Sequence, residues 1–345
     1  MKETIKKIRN LLLESTRPIF LFDDDPDGLS AFLILYDLVK AGKGLPLKGN
    51  VLNETFAEKI NNYQADLVII LDKHDVEQEF IDAIKTKIIW IDHHEPKKPH
   101  GVIYLNPRIK NKKNNKPTSQ LAYEINPEKE WIASTGIISD WVIPPKRIRQ
   151  KLEKKYPELL PETINEAPEG LFNTKLGEIA RIFSFNLKGK ISDVTTSIKI
   201  LTRIKDPYEL LEKKHSQARL IMKKYEQHLA KYNETIENIE IKEEDPLIIY
   251  TYDNSKNSYT TDLSNELLYK NPDKIIIIAR ESNNSYKCSL RASKIRIDKI
   301  LEKTFEEVRG EGGGHEHACG AVIPSEEFER FIKKIRKEIT KQTTI

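Results

Sequence analysis

The chain has 345 residues, enough for two domains with separate cores, and 38% of them are hydrophobic, as in a soluble globular protein. Its 57 basic and 53 acidic residues leave a net charge of only +4, so no global field points to nucleic acid or to a membrane. An anionic substrate must then be met by a local patch. The two cysteines, Cys288 and Cys319, argue against a disulfide framework and fit a reducing compartment. No apolar run approaches bilayer length, and the opening MKETIKKIRNLLLES is an amphipathic helix too polar for a secretory signal, so a cytoplasmic protein with no membrane partner is expected.

Up to about residue 145, apolar strands alternate with helical segments. Residues 19–22, 66–71 and 88–91 read as strands, and 29–39 and 76–84 as helices. Such alternation predicts an α/β fold with a doubly wound parallel sheet, in which ligands bind beyond the carboxyl ends of the strands. A Pro-, Lys- and Glu-rich stretch over 144–168 marks a change into a helical region. There Met222, Tyr225, Leu229, Tyr232, Ile236 and Ile239 form a stripe with steps of four and three. If it begins near Pro207, this helix runs roughly 30 residues, or about 45 Å, long enough to connect two domains. Its spacing also suits a coiled-coil seam, which leaves a homo-oligomer open. After residue 243, the compact runs DPLIIYTY, KIIIIAR and YKCSLRAS read as strands, GEGGGHEHACGAVIP as a glycine-rich loop leading into another strand, and 326–341 as a basic amphipathic helix. The expected division is 1–145, a metal-binding domain; 146–240, a helical region with the connecting helix; and 241–345, a smaller α/β domain.

The segment IFLFDDDPDGLSAF places Asp23, Asp24, Asp25 and Asp27 within five residues, directly after an apolar strand. Carboxylates so crowded repel one another and lose hydration, and a site that keeps them ionised usually holds a cation. Taken alone, the turn could equally be a surface loop. Other apolar elements end in the same way: DLVIILD at Asp72, IIWID running into Asp92, His93 and His94, and IASTGIISD at Asp140. Asp25, Asp27, Asp72, His93 and Asp140 together give four carboxylates and one imidazole, a set that suits Mn²⁺ or Mg²⁺, with Zn²⁺ or Co²⁺ as alternatives. Several carboxylates can hold two cations, and a pair about 4 Å apart favours in-line displacement at phosphorus. The expected reaction is metal-dependent phosphoester hydrolysis.

DDDPDG, the Asp72 strand end, DHH at 92–94, Asp140, and GGGH at 312–315 occur in an order that resembles the DHH superfamily of phosphoesterases, above all its RecJ-like branch with the DHH-associated C-terminal domain. The resemblance implies that Asp25, Asp27, Asp72, His93 and Asp140 are metal ligands. It also implies that Asp23, Asp92 and His94 support them, with His94 touching the scissile phosphate, and that Asn106 and Pro107 are the family's asparagine-proline pair. The C-terminal domain of that family holds the nucleotide part of the substrate over the metals. Gly312, Gly313 and Gly314 can bring backbone amides close to a phosphate because no side chain intervenes. His315 would contact the same phosphate, and Arg291 in SLRAS offers a planar guanidinium for bidentate contact.

Many relatives have histidine at the first position of the opening motif, whereas this chain has Asp23, and aspartate is the choice seen in RecJ itself. A zinc site at His315, His317 and Cys319 is disfavoured, since a structural site needs a fourth ligand. His74, His100, His215 and His228 lie in polar contexts and are expected to be solvated, and Trp90, Trp131 and Trp141 to pack in the core. The resulting expectation is a RecJ-like exonuclease or oligoribonuclease acting on single-stranded DNA or RNA or on short oligonucleotides. One alternative is a phosphoesterase of cyclic dinucleotides or 3′-phosphoadenosine 5′-phosphate. Another is a non-catalytic scaffold with a replication or repair partner.

Overall fold

A computed structural model describes residues 1–49, 51–253 and 258–343. The chain divides into two units, Met1–Glu226 and Gln227–Ile345, and the break falls inside the 22-residue helix Ser216–Glu237. The apolar stripe predicted to begin near Pro207 therefore begins later. Pro207–Leu211 is a separate short helix, started by a reciprocal capping box between Asp206 and Glu209, and Lys213 then takes a left-handed conformation (φ 54°) that breaks the run. None of the described helices is long and apolar enough to cross a membrane.

In the first unit β1 (Pro18–Asp23), β2 (Lys43–Leu47), β3 (Leu67–Leu71), β4 (Lys87–Ile91) and β5 (Ile103–Leu105) form an all-parallel sheet in the order β2-β1-β3-β4-β5. Helices cover both faces, which is why the strands are almost uninterrupted Ile, Leu, Val and Phe. Ile19 and Leu21 enter a core with Val68, Ile70, Phe80 and Trp90. Phe20 and Phe22 alternate to the opposite face, where Phe22 stacks on Phe32 of the helix Pro26–Val39 at 4.8 Å between ring centroids. Helices Thr118–Ile125 and Glu130–Ser139 pack against that helix. The strand order reverses between β1 and β3, the place where such sheets open a crevice beyond their carboxyl ends. Helices Lys146–Lys155, Ala167–Asn173, Lys175–Asn186 and Ile191–Leu201 follow.

In the second unit β6 (Leu247–Tyr252) runs parallel to β7 (Ile275–Ser282), with the helix Thr260–Lys270 between them in sequence. β8 (Ser285–Arg291) returns antiparallel through Asn283 and Asn284, both left-handed (φ 48° and 56°), the geometry of a two-residue hairpin turn. β9 (Glu311–His315) and β10 (Ala318–Pro324) complete the order β6-β7-β8-β10-β9. The helices Ile297–Phe305 and Phe328–Thr343 close one face through Ile300, Phe331 and Ile335 against Ile277 and Leu290. Two sequence expectations need correction here. The glycine run is not a loop but the edge strand β9. His228 is not solvated: it is buried, with Nδ1 2.6 Å from the Tyr259 hydroxyl.

Candidate metal centre

Parallel register gathers the motif ends of the first unit. Phe22 pairs with Leu71 and Leu71 with Ile91, so Asp23, Asp72 and Asp92 leave three adjacent strands side by side at the order reversal. The Asp72 amide donates to the Ile91 carbonyl at 2.9 Å, and the Asp92 amide to the Leu105 carbonyl at 3.1 Å. After β1 the chain turns tightly into the helix Pro26–Val39. A Cβ on Gly28 would lie 2.7 Å from the Asp23 carbonyl oxygen, so only glycine fits there. Asp25 caps this helix, its Oδ1 accepting from the Gly28 amide at 2.9 Å. Asp140 arrives by another route, as the C-cap of the buried helix Glu130–Ser139.

Two sets of ligand-type atoms converge, Asp27 with His93 and Asp140, and Asp72 with His93 and His94, each within 4.8 Å of one another. His93 joins them: its Nε2 is 3.3 Å from Asp72 Oδ1 and its Nδ1 3.5 Å from Asp140 Oδ2. His94 is oriented by Asp92, Nδ1 to Oδ1 at 2.7 Å, and Asn106 donates its amide to the His94 carbonyl at 3.0 Å. Asp23 faces the buried Lys73 ammonium at 3.3 Å. Asp25 belongs to neither set.

Sequence reasoning misses Thr118 and Ser119. They open the helix Thr118–Ile125, and its first amides point at Asp27: Thr118 N donates to Oδ2 at 2.7 Å and Ser119 N to Oδ1 at 3.1 Å, joined by the Ser119 hydroxyl. The Thr118 hydroxyl donates to Asp72 Oδ1 at 2.9 Å. A helix N-terminus thus holds two of the carboxylates, with its dipole favouring their charge. The available signal is Pro117-Thr118-Ser119, a helix-start pattern ahead of Leu121 and Ala122.

The charges are out of balance. Burial, with repulsion from Asp72 and other neighbouring carboxylates, pushes the Asp25 and Asp27 carboxyls well above the usual range. Burial lifts Asp23 and Asp140 to about 6, against the opposing pull of Lys73 and His93 respectively. Burial disfavours the His93 imidazolium, yet the hydrogen bond to Asp72 and the charges of Asp140, Asp72 and Asp27 raise it to about 11. Despite its own burial Asp72 is held down to about 2 by His93 and Thr118. The donor set of carboxylate oxygens and imidazole fits a hard divalent cation, which would lower the raised carboxyls and displace the His93 proton.

In the second unit the Arg291 guanidinium is engaged at Nε with Asn265 Oδ1 (2.8 Å) and at one terminal nitrogen with the carbonyls of Leu290 (2.9 Å) and Cys319 (3.3 Å). Its other terminal nitrogen has no partner among the described residues. A Cβ on Gly312 would lie 2.4 Å from the Gly320 carbonyl oxygen and one on Gly314 2.3 Å from that of Ala318, whereas one on Gly313 meets nothing within 4 Å. Packing onto β10 accounts for two of the three glycines. Gly313, exposed on the edge strand, is the one whose bareness the hairpin does not require. His315 closes that strand, also exposed.

The family model for the DHH family, N-terminal domain, matches residues 19–144, and that for the DHHA1 domain matches residues 244–341. Among solved structures, RecJ from Thermus thermophilus in complex with Mn²⁺ is 16% identical with a TM-score of 0.73, over 99% of this chain and 54% of that one. This chain therefore spans about half the length of that relative. Exonuclease RecJ bound to manganese is 18% identical with a TM-score of 0.62, over 97% of this chain and 92% of the other. The pGpG-specific phosphodiesterase PggH from Vibrio cholerae is 12% identical with a TM-score of 0.50, over 94% and 99%. At these identities the likeness is one of fold. No curated protein matches in sequence.

Proposed function

The chain belongs to the DHH superfamily and carries a DHHA1 domain toward its C-terminal end, and on that premise we propose that it is a metal-dependent phosphodiesterase that hydrolyses single-stranded nucleic acid or short oligonucleotides to mononucleotides. The observation that carries this reading is His93 set between Asp72 and Asp140, with Asp27 completing the set that contains Asp140. In this reading Asp25, Asp27, Asp72, His93 and Asp140 hold Mn²⁺ or Mg²⁺, as two ions, with Asp23 and Asp92 in support. The bound ions supply an activated water and Lewis-acid stabilisation of the phosphoryl oxygens. The chain's own residues supply order. Asp92 fixes the His94 ring through Nδ1 and, against the effect of burial, favours its charged form, in which Nε2 also carries a proton that it can donate to a phosphate oxygen. Lys73 balances Asp23. Thr118 and Ser119 keep Asp27 and Asp72 from turning away. In the C-terminal unit, the outer nitrogen of Arg291, the Gly312–Gly314 backbone and His315 take the nucleotide phosphate.

A second reading, a phosphoesterase of small nucleotides, is favoured by the likeness to PggH along 99% of that chain. The two are separated by incubating the protein and Mn²⁺ with end-labelled DNA and RNA ranging from dinucleotides to long strands. Release of mononucleotides from long strands, abolished in Asp27→Ala or His93→Ala, supports the first. Cleavage confined to the shortest substrates supports the second. Metal binding without hydrolysis of any phosphoester refutes both and leaves a scaffold.

A further inference from the structure

Gly136 stands inside the helix Glu130–Ser139, which is buried at every position from 130 to 138. Glycine in a helix interior is less stable than alanine, so its presence there needs a cause. A Cβ on Gly136 would lie 2.6 Å from both Cβ and Oγ of Ser119 and 2.8 Å from Cβ of Ser30, whereas ordinary contact begins at 3.4 Å, about 0.8 Å beyond the nearest of them. The backbone fixes each serine Cβ, and no change of rotamer moves it aside. Both obstacles lie where the one added Cβ would point, so the helix that yields is the one carrying Gly136.

Each side of this contact leads to the metal centre. Ser119, at the start of the helix Thr118–Ile125, holds Asp27 through its amide and its hydroxyl. Ser30 follows Asp27 by one turn of the helix Pro26–Val39. Asp140 follows Gly136 by one turn, its amide donating to the Gly136 carbonyl at 3.2 Å. The close approach that glycine permits therefore decides how near Asp140 comes to Asp27, and these are the two carboxylates that meet His93 in one ligand set. The other set, Asp72 with His93 and His94, follows β3 and β4 and takes its spacing from parallel register instead.

We propose that Gly136 is a positioning residue of the metal centre: its bare Cα lets the helix that carries Asp140 close onto Ser119 and Ser30, and so sets the Asp27–His93–Asp140 ligands without acting on Asp72. This rests on the metal-binding part of the phosphodiesterase reading and on no particular substrate. Ligand distances to an ion hold to within about 0.2 Å, and a helix displaced by about 0.8 Å leaves that range.

The test is Mn²⁺ titration of the full chain without substrate, with thermal melts in EDTA beside it. The unaltered protein binds two ions. Gly136→Ala binds the first as tightly and the second about tenfold to a hundredfold more weakly, the usual loss when a group supporting metal ligands is disturbed. Gly170→Ala is the control, because its Cβ would press on the same helix at Ile138 Cδ1, 2.8 Å away and far from Ser119 in the chain, and it binds both ions normally. Should Gly136→Ala fail to fold, the titration is run on Ser30→Ala/Gly136→Ala. Ser30→Ala keeps the Cβ that Gly136 meets and removes a buried hydroxyl with no hydrogen-bond partner among the described residues, which raises stability. Two ions bound normally by the folded Gly136 variant overturn the proposal, as do equal losses at both ions or the same loss in Gly170→Ala. A double variant that folds in neither EDTA nor Mn²⁺ also overturns it, since the glycine then serves the fold alone. Fewer than two ions in the unaltered protein takes the two-ion reading down with the proposal, whereas a selective loss in a protein that cuts no phosphoester sustains Gly136 while the phosphodiesterase reading falls.

Discussion

The Thr118 hydroxyl is fully buried and donates to Asp72 Oδ1 at 2.9 Å. Thr118→Val keeps the side-chain shape and the backbone amide that serves Asp27, and removes that donor alone. A hydrogen bond to a charged group contributes about 1.5–3 kcal/mol, and neither the new methyl nor solvent replaces it. The metal-free protein should therefore lose about 2 kcal/mol, or about 4–8 °C in melting temperature for a unit of this size. The sign of the pH dependence follows from Asp72, held down to about 2 from an ordinary 3.8. A depressed carboxyl contributes stability that is present above its ordinary value and lost as pH falls through the folded one. The gap between the two proteins is thus full at neutral pH and shrinks as pH falls from about 4 toward about 2. Urea denaturation in EDTA at neutral and acidic pH measures it. Thr135→Val serves as the control, since its hydroxyl donates to a neutral carbonyl of its own helix, that of Trp131, at 2.8 Å, a bond worth about 1 kcal/mol. Equal stability of Thr118→Val and the unaltered protein at neutral pH, or a deficit that grows on acidification, would refute this account of how Asp72 is held.

Two further outcomes follow from the same geometry. Asp23 and Asp140 are raised to about 6, so the metal-free fold binds their protons more tightly than the unfolded chain and loses stability as pH rises from about 4 through about 6. His93, raised to about 11, acts in the same direction above its ordinary value. Saturating Mn²⁺ should reverse the trend because it needs the ionised carboxylates, and melting curves across that range in EDTA and in Mn²⁺ decide the matter; a metal-free protein that gains stability over the interval contradicts it. In the second unit Gly314→Ala should disrupt the β9–β10 pairing, since its Cβ would lie 2.3 Å from the Ala318 carbonyl oxygen at a left-handed φ of +152°. Gly313→Ala should fold normally with reduced nucleotide binding, and comparing thermal melts with nucleotide affinity separates the two; equal effects on folding would show that the strand is not packed as described.

How far the sequence can be read depends on whether the forces at each position are local. β1, β3 and β4 are legible because strands covered on both faces must be apolar throughout, and their ends are legible because carboxylates and histidines cannot continue such a run. The helix before Asp140 is harder, for it is buried on every side and its apolar run carries no period. His228 reads as solvated because its sequence neighbours are polar, whereas its partner, Tyr259, lies 31 residues away. The glycine run reads wholly as a phosphate cradle, while Ala318 and Gly320 across the hairpin already require two of its members to be bare. Thr118 and Ser119 illustrate the general limit. Their residue types announce a helix start, but nothing nearby states that Asp27 will stand in front of it, 91 residues earlier in the chain. Ligand positions are written at strand ends, where local pattern and topology agree. The groups that hold those ligands in place come from wherever the fold brings a donor, and only the folded chain shows that the aspartate turn is anchored by a helix N-terminus.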